Sequence, residues 1–405
     1  MGEHQGNAVD LRALGSRIRE ARESTGWTQQ QLADRLDMSR TTIVAMEKGE
    51  RKLKPSELVQ IATLLGRNLS DLLQRGAPVE GFGVQLRSTL PSPTTPSAPL
   101  PPYIESFQHL CEDYVRLESL CHAPLRRRYP SEYEILGSDP ELAAEDVAAS
   151  ERRRLDLGEG PVVRLREILE GDIGIRVFQV VMPSSIAGMF AFTEPLGACI
   201  AVNLHHPAER RRASLVHEFG HFLTARYRPE ITVEERFERR PAAERFAEAF
   251  ARSFLMPASG LRRRFLELER ERMKGVTYGD LCRLAHFYAV SVEAMTRRLE
   301  ELRLIPAGTR DRLRLERFRV REAQQILGLE AIHGDDAIFS PRYMALAVEA
   351  WQQGELSEGQ LARVLRTDRL GAREMTQRLE QSATDGSDSG EPIDFGTPLV
   401  GSTTR

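Results

Sequence analysis

Apolar side chains return every three or four positions near the start of the chain, at Leu32, Ala33 and Leu36, then at Ile43 and Met46. That period predicts helices with one buried face, and residues 11–75 are expected to form five short helices. Thr28 and Ser39 stand where two of them need N-caps, with Asp37 and Met38 as the turn between. The stretch LPSPTTPSAPLPP (Leu90–Pro102) then crowds proline with small polar residues, which fixes φ and favours extended chain. Residues 103–155 return to a mainly helical pattern, broken near Pro124 and Pro130. GIRVFQVVM (Gly174–Met182) and GACIAVN (Gly197–Asn203) are apolar, β-branched runs between turn residues and are expected as strands. Leu215, Val216, Phe219, Phe222 and Leu223 have helical spacing, and a second helix is expected between Pro241 and Pro257. Residues 277–303 predict two further helices and 339–381 a helical region. The Gly/Ser-rich stretch from Ser382 predicts a disordered tail. No internal repeat of fixed period stands out.

Composition narrows the class. A length of 405 residues suits two or three domains, and 41% hydrophobic with 28% charged residues is ordinary for a globular protein. A net charge of −3 excludes a uniformly basic coat, yet residues 11–75 carry 12 basic and 8 acidic side chains. The four cysteines show no CxxC pairing, which excludes a disulfide framework and a cysteine-based zinc finger. MGEHQGNAVDLRALG lacks an apolar h-region and no stretch reaches 18 apolar residues, so a cytoplasmic protein without membrane contact is expected.

The pattern TQQQLADRLDMSRTTIVAMEKGERKLKP fits a helix-turn-helix. With Ile43 and Met46 inward, Arg40, Thr41, Thr42 and Ala45 face out, as on a helix whose first turn enters the major groove. Arg40 suits a guanine edge, and Thr41 and Thr42 a thymine methyl or a phosphate. Arg51, Lys52 and Lys54 suit phosphates. Gln29 and Ser39, at the heads of the two helices, complete the set expected to face double-stranded DNA. Over about residues 11–73 the chain resembles the Cro/C1-type (XRE) helix-turn-helix family, departing at Asp37, where the family usually has glycine; aspartate tolerates the left-handed conformation. The resemblance implies DNA binding, with paired half-sites read by a homodimer. The bland reading is a helical bundle used for protein contacts.

In ERRRASLVHEFGHFL, His217 and His221 share one helical face, so both imidazoles can meet one ion. Glu218 lies about 100° round the helix, within reach of water at that ion without ligating it. Catalytic zinc wants three protein ligands and an open position. No third histidine follows at a fitting distance; the next helix offers Glu244 and Glu248 on a face where Ala247 and Ala251 allow close approach beside Gly220. The metal is expected to be Zn2+, with another divalent ion as the alternative. The strand ACIAVN is expected to lie beside an extended substrate or to be plain core. Tyr227, Tyr278 and His206 are weak candidates for an oxyanion donor, and His286 is read as packed. Asp280–Leu302 also reads helix–turn–helix, but as a packing element.

VHEFGHFL followed by ERFAEAFARSFLMP resembles the ImmA/IrrE family of metallopeptidases over about residues 150–305, with GEGPVV, GIRVF and CIAVN also matching and a weaker echo in SPRYMALAVEAWQQGELSEGQLARVL. Aligned on Leu255-Met256-Pro257, the resemblance implies Glu244 as third ligand and Glu218 as general base. The implied architecture is α+β and mostly helical: a five-helix reader over 11–75, a proline-rich linker over 76–102, a zincin-like peptidase domain with a small sheet over 103–305, a helical region over 306–381 and a disordered tail over 382–405. The implied function is a DNA-binding regulator with a zinc endopeptidase acting on a repressor or antitoxin. The alternatives are a non-proteolytic XRE transcription factor that senses a ligand or partner, and an antitoxin-like partner of a toxin.

Overall fold

The chain begins with four helices: α1 (Leu11–Ser24), α2 (Gln29–Leu36), α3 (Arg40–Glu47) and α4 (Pro55–Leu64). The computed structural model describes residues 11–65, 101–135, 137, 139–227, 230–233, 241–271, 275–330 and 337–385. The expected fifth helix of the reader, most of the proline-rich linker and the end of the tail lie outside these residues. Thr28 accepts from the Gln31 amide at 3.2 Å, and the Gln31 side chain accepts from the Thr28 amide at 2.8 Å, a reciprocal cap. The α2 helix ends on Asp37, left-handed at φ 54°, and Ser39 caps α3 through the Thr42 amide at 3.1 Å. Gly15 has a reason to lack a side chain, because a methyl there would lie 2.6 Å from the Glu47 carbonyl oxygen. That approach lets Leu14 and Ile18 of α1 close on Ile43 and Met46 of α3 in one core.

By its internal contacts the chain divides into two units, Met1–Glu112 with Leu125–Ser340, and Asp113–Pro124 with Pro341–Arg405. The helix α5 (Pro102–Leu120) contributes to each. After it the first unit holds α6 (Pro140–Arg154) and α7 (Leu165–Glu167), which continues as a π-helical stretch, Ile168–Ile173. Three strands follow: β1 (Arg176–Val180), β2 (Ile186–Thr193) and β3 (Gly197–Asn203). Next come α8 (Ala208–Ala225), β4 (Glu230–Val233), α9 (Ala242–Leu255) and α10 (Ala258–Glu271). The series ends with α11 (Tyr278–Phe287), α12 (Val292–Glu301), α13 (Thr309–Leu315) and α14 (Val320–Ile326). Beyond residue 305, where the peptidase-type domain is expected to end, Leu313 joins the same core and Phe318, Val320 and Leu327 pack against it.

The sheet runs β1-β3-β2-β4, with β1 parallel to β3 and the other pairs antiparallel. This decides between the two expectations for one strand. The strand ACIAVN is β3, hydrogen-bonded on both sides, so its backbone has no open edge for a substrate. A buried arginine ties the layers behind the sheet: Arg152 of α6 donates to the carbonyls of Gly158 at 2.9 Å, Gly160 at 2.6 Å and Phe254 of α9 at 2.5 Å. Burying a guanidinium is costly unless its donors are used in this way.

The second unit holds α15 (Pro341–Gln352), α16 (Glu358–Val364) and α17 (Arg369–Asp385) with the end of α5. The α17 helix runs past Ser382, where the tail was expected to start. Tyr343 sits at the centre of this unit, its ring edge-on to Tyr114 at 5.1 Å and its hydroxyl donating to Val364 O at 3.1 Å.

Candidate metal centre

The α8 helix buries all five apolar positions that its spacing marked out, Leu215, Val216, Phe219, Phe222 and Leu223. His217, Glu218 and His221 are buried with them, at 8%, 0% and 0% exposure, so they do not form a solvated face. Polar groups are buried at this cost only when something satisfies them. The α9 helix supplies the complement. Its Ala247 meets Gly220 so closely that a methyl on the glycine would lie 3.2 Å from the Ala247 Cα. Phe219, Phe250 and Phe254 interlock behind that contact, with ring centroids 5.5–6.0 Å apart.

The two helices bring three donors together. His217 Nε2 lies 3.0 Å from His221 Nε2, Glu244 Oε2 lies 3.5 Å from His217 Nε2, and Glu244 Oε1 lies 3.3 Å from His221 Nε2. Zinc bonds of about 2.0–2.1 Å spread tetrahedrally would hold such atoms about 3.3 Å apart. Two imidazoles and a carboxylate are also the donor set of a catalytic zinc with one position left for water or substrate. The residues present therefore fit the ion. Burial pushes the Glu244 carboxyl up, but His217 and His221 beside it more than reverse this and hold it well below the usual carboxylate range. It stays an anion, the form that ligates.

Glu248, the other glutamate on the α9 face, turns elsewhere, with Oε2 3.9 Å from Arg252 and 3.7 Å from Arg297. Glu218 points at β2. A methyl on Gly188 would lie 2.5 Å from Glu218 Oε1, so the absence of a side chain there leaves room for the carboxylate. Sequence reasoning missed β2, although its apolar run IAGMFAFT is bounded by Pro183-Ser184-Ser185 and Glu194-Pro195. That bounded run was the available signal.

The remaining residues singled out in the sequence lie apart from the three donors' mutual contacts. His206 Nε2 is 3.0 Å from the Ser184 carbonyl, and burial pushes its pKa down. Tyr278 donates to Glu316 at 3.1 Å, and His286 meets the Glu330 carbonyl at 2.9 Å. Tyr227 is exposed against the Phe192 ring. In the reader, Ser39, Arg40, Thr41, Lys52 and Lys54 are exposed and Thr42 partly so. The Ser39 hydroxyl lies 2.7 Å from that of Thr41 and 2.8 Å from that of Thr42. Two of the expected DNA contacts have partners within the fold: Gln29 Nε2 donates to Glu47 at 2.9 Å, and Arg51 bonds Glu57 at 2.7 Å.

Two family models match the chain, "Helix-turn-helix" over residues 18–72 and "IrrE N-terminal-like domain" over residues 170–300. No curated protein matches. Among solved structures, the chain aligns with the crystal structure of ComR from Streptococcus suis at 14% identity, covering 94% of this chain and 96% of that one, with a TM-score of 0.16. It aligns with Bacillus thuringiensis PlcR in complex with the peptide PapR7 and DNA at 11% identity, covering 94% and 100%, with a TM-score of 0.17. Scores this low carry no argument about fold or ligand. Among the described residues, no helix is long and apolar enough to cross a membrane. Residues 18–72 and 170–300 are thus a helix-turn-helix DNA-binding domain and an IrrE N-terminal-like, metallopeptidase-type domain joined in one chain.

Proposed function

We propose that this protein is a DNA-binding regulator with a zinc-dependent endopeptidase, and that it cleaves a helix-turn-helix repressor or an antitoxin to switch gene expression. The observation that carries the reading is the convergence of His217, His221 and Glu244 beside the buried carboxylate of Glu218. A site that only held an ion would need the three ligands alone. A second carboxylate, Glu218, buried one residue from a ligand, is the general base that hydrolysis uses.

Bound zinc would bring a water pKa near neutrality and polarise a carbonyl. Glu218, fixed between α8 and Gly188, takes the proton of the attacking water and returns it to the leaving amine. His217, His221 and Glu244 would hold the ion, the two histidines buried and the glutamate partly exposed.

The reader supplies location. A module tethered in the same chain meets what lies beside its operator at an effective concentration of up to about millimolar. The substrate is accordingly a repressor bound near this protein's own DNA site, cut between its reader and its dimerisation region. The test is incubation of the zinc-loaded protein with such a purified repressor and mass spectrometry of the products. One cut in that interval is expected, and an intact repressor with zinc present overturns the reading.

The DNA side has its own test. Arg40→Ala should weaken binding to the specific operator by about 1–3 kcal/mol. Lys52→Ala should weaken specific and random duplexes alike and flatten the salt dependence. Equal loss on both duplexes for Arg40→Ala would remove its assignment to a base edge.

A further inference from the structure

The end of the chain repeats the reader's local design, residue for residue. Ser357 stands where Thr28 stands, and Gln360 where Gln31 stands. The Ser357 hydroxyl accepts from the Gln360 amide at 3.3 Å, and the Gln360 side chain accepts from the Ser357 amide at 2.8 Å, the same reciprocal cap. Leu361 and Ala362 are buried like Leu32 and Ala33, and Leu365 like Leu36. The next residue is left-handed in both copies, Arg366 at φ 52° and Asp37 at φ 54°. Two residues on, Asp368 caps α17 through the Gly371 amide at 2.7 Å, as Ser39 caps α3. Ala372, fully buried, takes the place of Ile43.

The shared spacing fixes which side chains face outward. Arg369 stands where Arg40 stands and is exposed. Leu370, in the place of Thr41, is 65% exposed at the head of α17. That pair suits a guanine edge and a thymine methyl. Gly371 follows, and its lack of a side chain leaves room for the Thr367 hydroxyl and the Asp368 carboxylate, which a methyl there would meet. From Ser357 through Arg378 there are five arginines and three acidic residues, against three basic and three acidic residues in the matching stretch of the first reader, Thr28–Gly49.

A capped helix–turn–helix is not by itself a reader, and the chain contains the counterexample. Thr277 and Asp280 also form a reciprocal cap, but the left-handed residue comes at Ala289, a helical turn later than the reader's spacing puts it. Counted from the cap Ser291, Val292 stands where Arg40 stands and is buried, at 4% exposure. The pair α11–α12 buries an apolar side chain at the position of Arg40, whereas α16–α17 exposes an arginine there.

We propose that residues 357–378 form a second helix-turn-helix that reads double-stranded DNA through Arg369 and Leu370. The experiment binds the full-length protein to a pool of random-sequence duplexes and sequences what is retained. Wild-type protein should enrich two motifs. Arg40→Ala should lose one and keep the other, and Arg369→Ala should do the reverse. In the Arg40→Ala background, Arg369→Ala should lower the salt slope of binding by about one further unit. Arg369→Lys, which keeps the charge without the bidentate fork, should retain the slope and lose the second motif. A motif set and slope unchanged by Arg369→Ala overturn the proposal and leave this face to a protein partner. So does loss of all enrichment with Arg40→Ala alone.

Discussion

Glu244→Ala is expected to lower zinc affinity by far more than the roughly 10–100-fold that loss of an outer-shell partner costs, while Glu248→Ala leaves it unchanged. Both residues lie on the α9 helix one turn apart, so helix propensity and fold are nearly the same in the two variants. Only Glu244 meets the histidines, at 3.3 and 3.5 Å, whereas Glu248 faces Arg252 and Arg297. Equilibrium dialysis against zinc separates them. Equal affinities for the two variants, or the reverse order, would move the ligand off Glu244.

Glu47→Ala is expected to unfold the first DNA reader. Arg22 and Glu47 are 6% and 8% exposed, and their contacts at 2.6 and 3.1 Å join α1 to α3. The hydrogen bond that Arg22 donates to Glu47, against the opposing effect of burial, raises the Arg22 pKa, so the guanidinium keeps its charge. Removing the carboxylate leaves the buried guanidinium only the half-exposed Glu23, at 3.3 Å, and releases Gln29, at a cost of up to about 3–5 kcal/mol. Small domains have only about 5–15 kcal/mol in total. Operator binding and the hydrogen-exchange protection of α1 and α3 in the full chain should both collapse, with zinc content unchanged. Replacing both partners by apolar residues, Arg22→Met with Glu47→Leu, should restore protection. Retained protection in Glu47→Ala would show that the pair is not what holds α1 on α3.

Much of the site was legible because it is local. The spacing of His217 and His221 and the apolar stripe around them determine one face of one helix. Even the approach of α9 could be read from Ala247 and Ala251 beside Gly220. Tertiary pairings were not legible. A strand's neighbours depend on residues far away in sequence, so β3 was offered an open edge that β1 and β2 in fact occupy, and Gly188 had no visible relation to Glu218. Gln29 was placed on DNA because the sequence does not reveal that a glutamate eighteen positions on holds its amide. The likeness of 357–378 to the first reader is hard to see in the sequence, because the letters that repeat, such as Gln31-Leu32-Ala33 and Gln360-Leu361-Ala362, are common to many amphipathic helices. What repeats is the order of cap, buried pair and left-handed turn, and Arg366 supplies the turn without the aspartate or glycine that would have advertised it.

The most direct test of the central claim is the rate at which zinc-loaded Glu218→Gln hydrolyses the repressor that the wild-type protein cuts, at equal zinc content. The glutamine keeps the volume beside Gly188 and leaves His217, His221 and Glu244 in place, but it cannot accept a proton. Zinc at one ion per chain and a rate lower by about 10²–10⁴-fold are predicted. Hydrolysis at the wild-type rate would contradict the account.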